Sequence, residues 1–312
     1  MHTLRETFPL SRSAPSRGMR VARVWWTAIR PRTLGIAIAP VAVGTALAVA
    51  DGARIDWLVL LATLASALLI QIGTNLHNDA ADFERGTDGP RRVGPLRVTA
   101  AGLASPAAVK RGAVLAFAAA LALGGYLVAV GGGVILVIGC ASLLAGWAYS
   151  GGPRPISHTP LGESFVLFFF GVLAVCGSHW LQARAFSPLG VAAGIAVGAP
   201  FAAVLLVNNF RDLETDLLSG RRTLAALLGR AGCMRAYVLL VLLPLPLLGS
   251  IALAGRPGVL LGLLAMPAFA RLAVRFRAAS GQGFNAVLAG TACQGSWLGL
   301  AMAAGILSAH LL

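Results

Sequence analysis

Charge is scarce in this chain of 312 residues, and one kind is almost missing. Only 12% of residues are charged while 57% are hydrophobic, and Lys110 is the single lysine among 25 basic residues. A soluble globular domain carries about 25% charged residues. The composition therefore argues strongly against a soluble globular chain and rules out a disordered one. Cysteine is sparse too. Cys140, Cys176, Cys233 and Cys293 are widely separated and form no C-x-x-C, which excludes a zinc motif or an evident disulfide framework and leaves packing thiols. No stretch alternates with the two-residue period of a strand. Acidic residues number only 11, giving a net charge of +14. A basic surplus often points to nucleic acid, but not at this apolar content. Here it reads as a cytoplasmic face beside anionic lipid, with no nucleic-acid partner.

What is abundant is apolar length. Nine stretches predict helices near Leu34–Ala50, Trp57–Leu76, Val109–Val130, Val134–Tyr149, Leu161–Leu181, Leu189–Asn209, Met234–Ala254, Val259–Ala273 and Ala286–His310. A bilayer crossing takes about 20 apolar residues. The expected fold is an all-α integral membrane protein with nine transmembrane helices around a central cavity. Residues 1–32 form a basic cytoplasmic leader, and residues 33–312 a single nine-helix domain. Ala48-Val49-Ala50 resembles a signal-peptide cleavage site, but the basic region before it is too long and eight more helices follow.

Arginine placement sets the orientation. With nine alternating crossings and a cytoplasmic N-terminus, 22 basic residues fall inside and only Arg54, Arg184 and Arg256 outside. That asymmetry predicts an external C-terminus and a multi-pass protein of the inner (plasma) membrane. The two long polar loops, near His77–Ala108 and Phe210–Gly232, then lie on the cytoplasmic side.

Seven of the 11 acids sit at the start of these loops. One cluster runs from Asn75 through Asn78, Asp79, Asp82 and Glu84 to Asp88. The other runs from Asn208 and Asn209 through Arg211, Asp212, Glu214 and Asp216 to Gly220. If the helices continue, Asn75, Asp79 and Asp82 share one face, as do Asn208, Asp212 and Asp216. The clusters repeat at an offset of 133–134 residues, which looks like an internal duplication. Glu84, Asp88 and Glu214 also fit as solvated loop residues.

Carboxylates gathered at one cavity repel each other, and burial penalises their charged form. Cations resolve the conflict. Carboxylate and amide oxygens are hard ligands suited to Mg²⁺, which commonly bridges to substrate phosphates. The pattern predicts two or more Mg²⁺ ions and one diphosphate, with Arg91, Arg92, Arg97, Arg211, Arg221 and Arg222 available for the remaining phosphate charge. At a membrane cavity the natural diphosphate is a lipid one. Its allylic chain could ionise behind apolar walls that exclude water.

At these residues the sequence resembles the UbiA superfamily of intramembrane aromatic prenyltransferases, a nine-helix family with acidic motifs on helices two and six. The resemblance spans nearly the whole chain. It is carried by Arg30-Pro31-Arg32-Thr33-Leu34, by Asn75 to Asp88, by Tyr149-Ser150-Gly151-Gly152-Pro153-Arg154-Pro155-Ile156 with Gly162-Glu163, and by Asn208 to Leu224. The third segment points to the menaquinone-pathway branch, which uses 1,4-dihydroxy-2-naphthoate. The resemblance implies that Asp79, Asp82, Asp212 and Asp216 hold Mg²⁺–diphosphate, with Asn75, Asn78 and Asn208 assisting. It implies transfer of a polyprenyl chain from a polyprenyl diphosphate to 1,4-dihydroxy-2-naphthoate, with decarboxylation to a demethylmenaquinone, in a site opening to the cytoplasm. Tyr149 would face the cation or the acceptor, and Arg30, Arg32 or Arg154 would bind the acceptor carboxylate. Tyr149 also fits as an interfacial tyrosine, and those arginines as plain positive-inside residues. One departure stands out: the family often has Gly-Lys where this chain has Gly220-Arg221-Arg222.

Two alternatives remain at this stage. The acceptor could be another phenol such as 4-hydroxybenzoate, since fold analogy does not fix substrate. An ion-coupled transporter would also use intramembrane acids, but near the midplane on broken helices rather than at one membrane face.

Overall fold

The structure is a computed structural model that describes residues 17–87 and 93–311. Helices account for the regular structure of the described residues, with no strand among them. In chain order they are α1 (Arg17–Ile29), α2 (Gly35–Ala50), α3 (Trp57–Glu84), α4 (Pro106–Gly131), α5 (Gly133–Ala148), α6 (Gly162–Leu167), α7 (Ala174–Ala183), α8 (Pro188–Arg211), α9 (Leu213–Leu218), α10 (Leu224–Leu242), α11 (Pro244–Leu253), α12 (Met266–Ala278) and α13 (Gly283–Leu311). A π-helical turn, Phe168–Leu173, joins α6 to α7, and a 3₁₀ segment, Pro257–Ala265, leads into α12.

Each of the nine predicted stretches is helical, but their lengths differ in kind. Seven helical spans among the described residues are long and apolar enough to cross a membrane, or eight if the bent pair Val21–Thr33 and Gly35–Ala50 counts as one. The bend of 47° has a local cause. Arg30 adopts the left-handed region at φ 56°, and Pro31 then opens a 3₁₀ turn that cannot continue α1. The remaining stretch, α5, has 16 residues. At 1.5 Å per residue it reaches about 24 Å, short of a hydrocarbon core of about 30 Å.

Local chemistry sets the helix starts. The Asp56 carboxylate accepts from Val59 N at 3.1 Å, and the Ser105 hydroxyl caps α4 ahead of Pro106. α1 is part of the packed structure: Ala28 lies in a buried cluster with Leu76, Ala80, Val98, Val109 and Ala113.

α8 is the central post. In its apolar stretch 78% of residues are buried against other helices, compared with 28% in α3. Small residues allow the close approach. A Cβ on Gly171 would lie 2.4 Å from Gly194 O, and one on Gly198 would lie 2.6 Å from Leu167 O. The π turn and α8 therefore touch backbone to backbone, the type of contact that drives helix association where no hydrophobic effect operates.

Two ends of the bundle carry distinct polar clusters. At one end Arg256 Nη2 donates to Asp51 Oδ1 at 2.6 Å, and His179 Nε2 lies 2.9 Å from Asp51 Oδ2. Burial acts to raise the Asp51 carboxyl, but the hydrogen bonds and charges of Arg256 and His179 outweigh it and hold its pKa below the usual value. The acidic motifs lie at the other end.

Candidate active site

α3 runs without a break through Glu84, so Asn75, Asp79 and Asp82 share a face as the spacing predicts. The second motif differs slightly. α8 ends at Arg211, and Asp212 is the linking residue at φ −93°, ψ 7° before α9. The i to i−4 bonding survives the joint, since Asp212 N donates to Asn208 O and Asp216 N to Asp212 O. The motif therefore continues over Asp216 as a bent helical run.

The two motifs meet through one side chain. Arg221 Nη2 donates to Asp82 Oδ1 at 2.9 Å, and Arg221 Nη1 donates to Asp216 Oδ1 at 3.3 Å. Arg97 takes the other Asp82 oxygen at 3.0 Å. The side chains of Asp82 and Asp216 are 5% and 8% exposed, so both pairs are largely desolvated. Burial pushes the Asp216 carboxyl up to about 6 against the pull of Arg221, and the charges of Asp212 and Asp82 add to the rise.

Asp79 is used differently. Its oxygens accept from the backbone N–H groups of Val98 and Thr99, both at 3.1 Å, and from the Thr99 hydroxyl. It is 1% exposed and anchors the segment after the first motif. Arg211 forms a fork on Asp212, with Nε to Oδ1 at 2.8 Å and Nη2 to Oδ2 at 2.6 Å. It also donates to Asn208 Oδ1 at 2.9 Å and to Asn285 Oδ1 at 2.7 Å. Asn285 in turn donates to Val93 O, tying the start of α13 to the first loop.

The Tyr149–Ile156 segment closes against the end of α3. Asn78 Nδ2 donates to Ser150 Oγ at 2.7 Å, and Arg85 donates to the carbonyls of Ser150 and Gly152. Gly151 is required there, because a Cβ would lie 2.6 Å from Trp147 O. Tyr149 is half-buried and within electrostatic reach of Glu163, Asp82, Arg221 and Arg97. His158 is held neutral: burial, with Arg221 adding, lowers its imidazole to about 4.

The predicted residues thus divide. Asp82, Asp216 and Tyr149 come together around Arg221, while Asp212, Asn208 and Arg211 form a second knot beside them. Asn75 Nδ2 instead donates to Ile29 O and locks α1 to α3. Arg222 and Arg154 are exposed, and Arg222 reaches the neighbouring loop through its backbone N–H to His158 O. Asp88, Arg91 and Arg92 lie outside the described residues. The choice between adjacent arginines was not legible in sequence: Arg221 enters the site and Arg222 faces out. The same holds for Thr99 and Asn285, whose roles depend on contacts far along the chain.

Among the described residues no three acidic, histidine or cysteine side chains converge as an all-protein cage. Mg²⁺ rarely needs one, since it binds through one or two carboxylates plus substrate phosphates and water. Asp82 and Asp216 lie close enough to share one guanidinium, and the buried Asn78 Oδ1 has no partner. These hard oxygens fit a phosphate-bridged Mg²⁺. Beside the second motif lies a cavity of about 300 Å³ lined by Phe210, Arg230, Ala231, Met234, Arg277, Ala279 and Phe284.

Fold and site together define a multi-pass helical membrane protein with two acidic motifs joined at one end of the bundle. The chain belongs to the UbiA prenyltransferase family, whose model matches residues 37–283. It is 36% identical over 257 residues to the 1,4-dihydroxy-2-naphthoate octaprenyltransferase of Mycobacterium tuberculosis, covering 82% of this chain and 87% of that one. To the protein of the same name from Escherichia coli it is 37% identical over 226 residues, covering 70% and 73%. Among solved structures it is similar to a UbiA homolog from Archaeoglobus fulgidus bound to DMAPP and Mg²⁺, with a TM-score of 0.65 at 16% identity, covering 91% of this chain and 99% of that one. That likeness shows the fold.

Proposed function

We propose that this protein transfers a polyprenyl chain from an allylic polyprenyl diphosphate to 1,4-dihydroxy-2-naphthoate, with loss of the carboxylate, giving a demethylmenaquinone. The observation that carries the reading is the meeting of the two acidic motifs at Arg221, in a chain whose named relatives act on this acceptor.

Asp79, Asp82, Asp212 and Asp216, with Asn75 and Asn208, would hold Mg²⁺, in two or more ions. When bound, Mg²⁺ would make diphosphate a better leaving group. The chain's own residues supply the rest. Arg211 and Arg221 present planar forks matched to phosphate oxygens, and the exposed Arg222 adds positive charge, with Arg91 and Arg92 as further cations that the sequence offers for the phosphates. Asn78, held by Ser150, offers its free carbonyl oxygen toward the metal–diphosphate. Tyr149 brings a polarisable ring to the place where positive charge develops on the prenyl chain. Arg30 and Arg154 orient the acceptor carboxylate. Apolar helices around a central cavity keep water from the allylic cation.

Nine crossings fit this reading: the seven long spans, α2 and the short α5, with residues 1–32 cytoplasmic and 33–312 forming one domain. The grouping of Asp51, His179 and Arg256 supports it. Asp51 and Arg256 follow crossings one and seven and His179 lies near the end of crossing five, all running outward in this topology. The 22-to-3 split of basic residues supports motifs on the cytoplasmic side of the plasma membrane.

The test uses purified protein in detergent with 1,4-dihydroxy-2-naphthoate, a polyprenyl diphosphate and Mg²⁺. Mass spectrometry should find the prenylated, decarboxylated quinone, and EDTA should abolish it. Prenylation of 4-hydroxybenzoate in its place would refute the acceptor assignment.

A further inference from the structure

Each acidic side chain of the two motifs that faces the site already has a partner from this chain. Asp82 is held by Arg97 and Arg221, Asp216 by Arg221, and Asp212 by Arg211. Arg221 differs from the other two arginines because it joins both motifs, reaching Asp82 across 139 residues of sequence. Its side chain is 15% exposed, and its Nε is buried without a partner. The guanidinium therefore bridges two carboxylates, with Nη2 also donating to the Thr87 hydroxyl at 3.1 Å, and only Nε is left unsatisfied.

The backbone around Arg221 is anchored independently of its side chain. Gly220 precedes it at φ 77°, and nothing lies within 4 Å of where its Cβ would be. Two backbone bonds hold the segment, Arg221 N to Asp216 O and Arg222 N to His158 O. A side-chain swing about this point breaks neither.

We propose that Arg221 is a built-in stand-in for the divalent cation, a latch that joins the motifs until metal and diphosphate arrive together. The proposal rests on the Mg²⁺–diphosphate reading above. Metal and guanidinium compete for the same oxygens of Asp82 and Asp216. A metal ion alone must displace a desolvated, charge-assisted pair and leave Arg221 unpaired. Diphosphate changes the balance because its oxygens give the released fork a new acceptor. Metal and diphosphate then bind cooperatively, and neither loads the site well alone. In this scheme the released Arg221 contacts diphosphate, and its planar fork is what spans two carboxylates at once.

The experiment measures Mn²⁺ binding by electron paramagnetic resonance to the full chain in detergent, with and without inorganic diphosphate. Protein-free Mn²⁺–diphosphate is subtracted as a control. For the unmodified protein, diphosphate should tighten Mn²⁺ binding by at least about fivefold, the lower end of coupling between sites. Arg221→Ala should bind Mn²⁺ alone at least about fivefold more tightly than the unmodified protein, with a smaller gain from diphosphate. Its melting temperature in EDTA should fall and be restored by Mn²⁺. A purely structural role would lower stability without raising metal affinity. If Arg221→Ala does not stay monodisperse, Arg221→Gln removes the charge at similar length and should show the same gain. Unchanged or weaker Mn²⁺ binding by these variants, with the unmodified protein binding normally, overturns the latch alone. No Mn²⁺ binding by the unmodified protein even with diphosphate overturns both the latch and the proposed function.

Discussion

Asp79→Ala should unfold more easily as well as lose activity, and the structure sets the scale. The Asp79 carboxylate is 1% exposed and accepts from Val98 N, Thr99 N and the Thr99 hydroxyl. A hydrogen bond to a charged group contributes about 1.5–3 kcal/mol. Truncation also leaves two buried N–H groups without an acceptor. Water entering at the membrane edge offsets part of this, so the net loss should be about 3–5 kcal/mol, near the upper end for single substitutions. At about 2 °C per kcal/mol for a large chain, the melting temperature should fall by about 6–10 °C. The assay is thermal unfolding in detergent with EDTA and no substrate, so that ligand binding plays no part. Asp79→Asn should fall by roughly half as much, because one oxygen remains an acceptor. Glu214→Ala is the control: its side chain is 82% exposed, and it should melt within about 1 °C of the unmodified protein. If Asp79→Ala is inactive yet melts with the unmodified protein, Asp79 is only a ligand and the account of the Val98–Thr99 anchor is wrong.

Three further outcomes follow from the geometry. Asp216 should be about one-tenth ionised at pH 5, given its pKa of about 6, so Mn²⁺–diphosphate affinity should weaken roughly tenfold between pH 7 and pH 5. Asp216→Asn should bind weakly at both values with a flatter profile, and an unchanged profile would remove Asp216 from the site. For the metal-free protein the sign is opposite: a carboxyl with a raised folded pKa costs stability as pH rises from 3.8 to about 6, and Asp216→Asn should abolish that component of the melting curve. Gly198→Ala should lower melting temperature and yield without touching the site, because its methyl meets Leu167 O at 2.6 Å; normal stability would mean that the π turn yields freely. Asp51→Ala should destabilise through buried His179 and leave metal affinity unchanged, measured by melting and by Mn²⁺ titration.

Much of this was legible in the chain itself. Apolar runs marked the helices, and the spacing from Asn75 to Asp82 puts these residues on one face if α3 continues past its apolar stretch, as it does. The spacing from Asn208 to Asp216 carried the same information, although the run bends at Asp212. Other features were hidden because they depend on partners far away in sequence. Arg221 and Arg222 are chemically identical, and only the loop path after Gly220 decides which one faces Asp82. Asp79 and Asp82 are alike in the spacing, and nothing in the sequence shows that Val98 and Thr99 supply the donors around Asp79. The leader read as a basic cytoplasmic segment, and its sequence did not show that the Trp25 and Ala28 side of α1 packs against α3 and α4.

The unequal shielding of α3 and α8 has a consequence for the bilayer around the protein. α8 is insulated by neighbouring helices, so the second motif is held at a height set by protein packing. α3 is only half-buried along most of its apolar stretch, so hydrophobic mismatch would act on it more directly than on α8. Longer or shorter lipid tails would change its tilt and carry Asp82 up or down relative to Asp216. The thickness of the surrounding membrane thereby becomes a tuning variable for the gap that a cation must bridge.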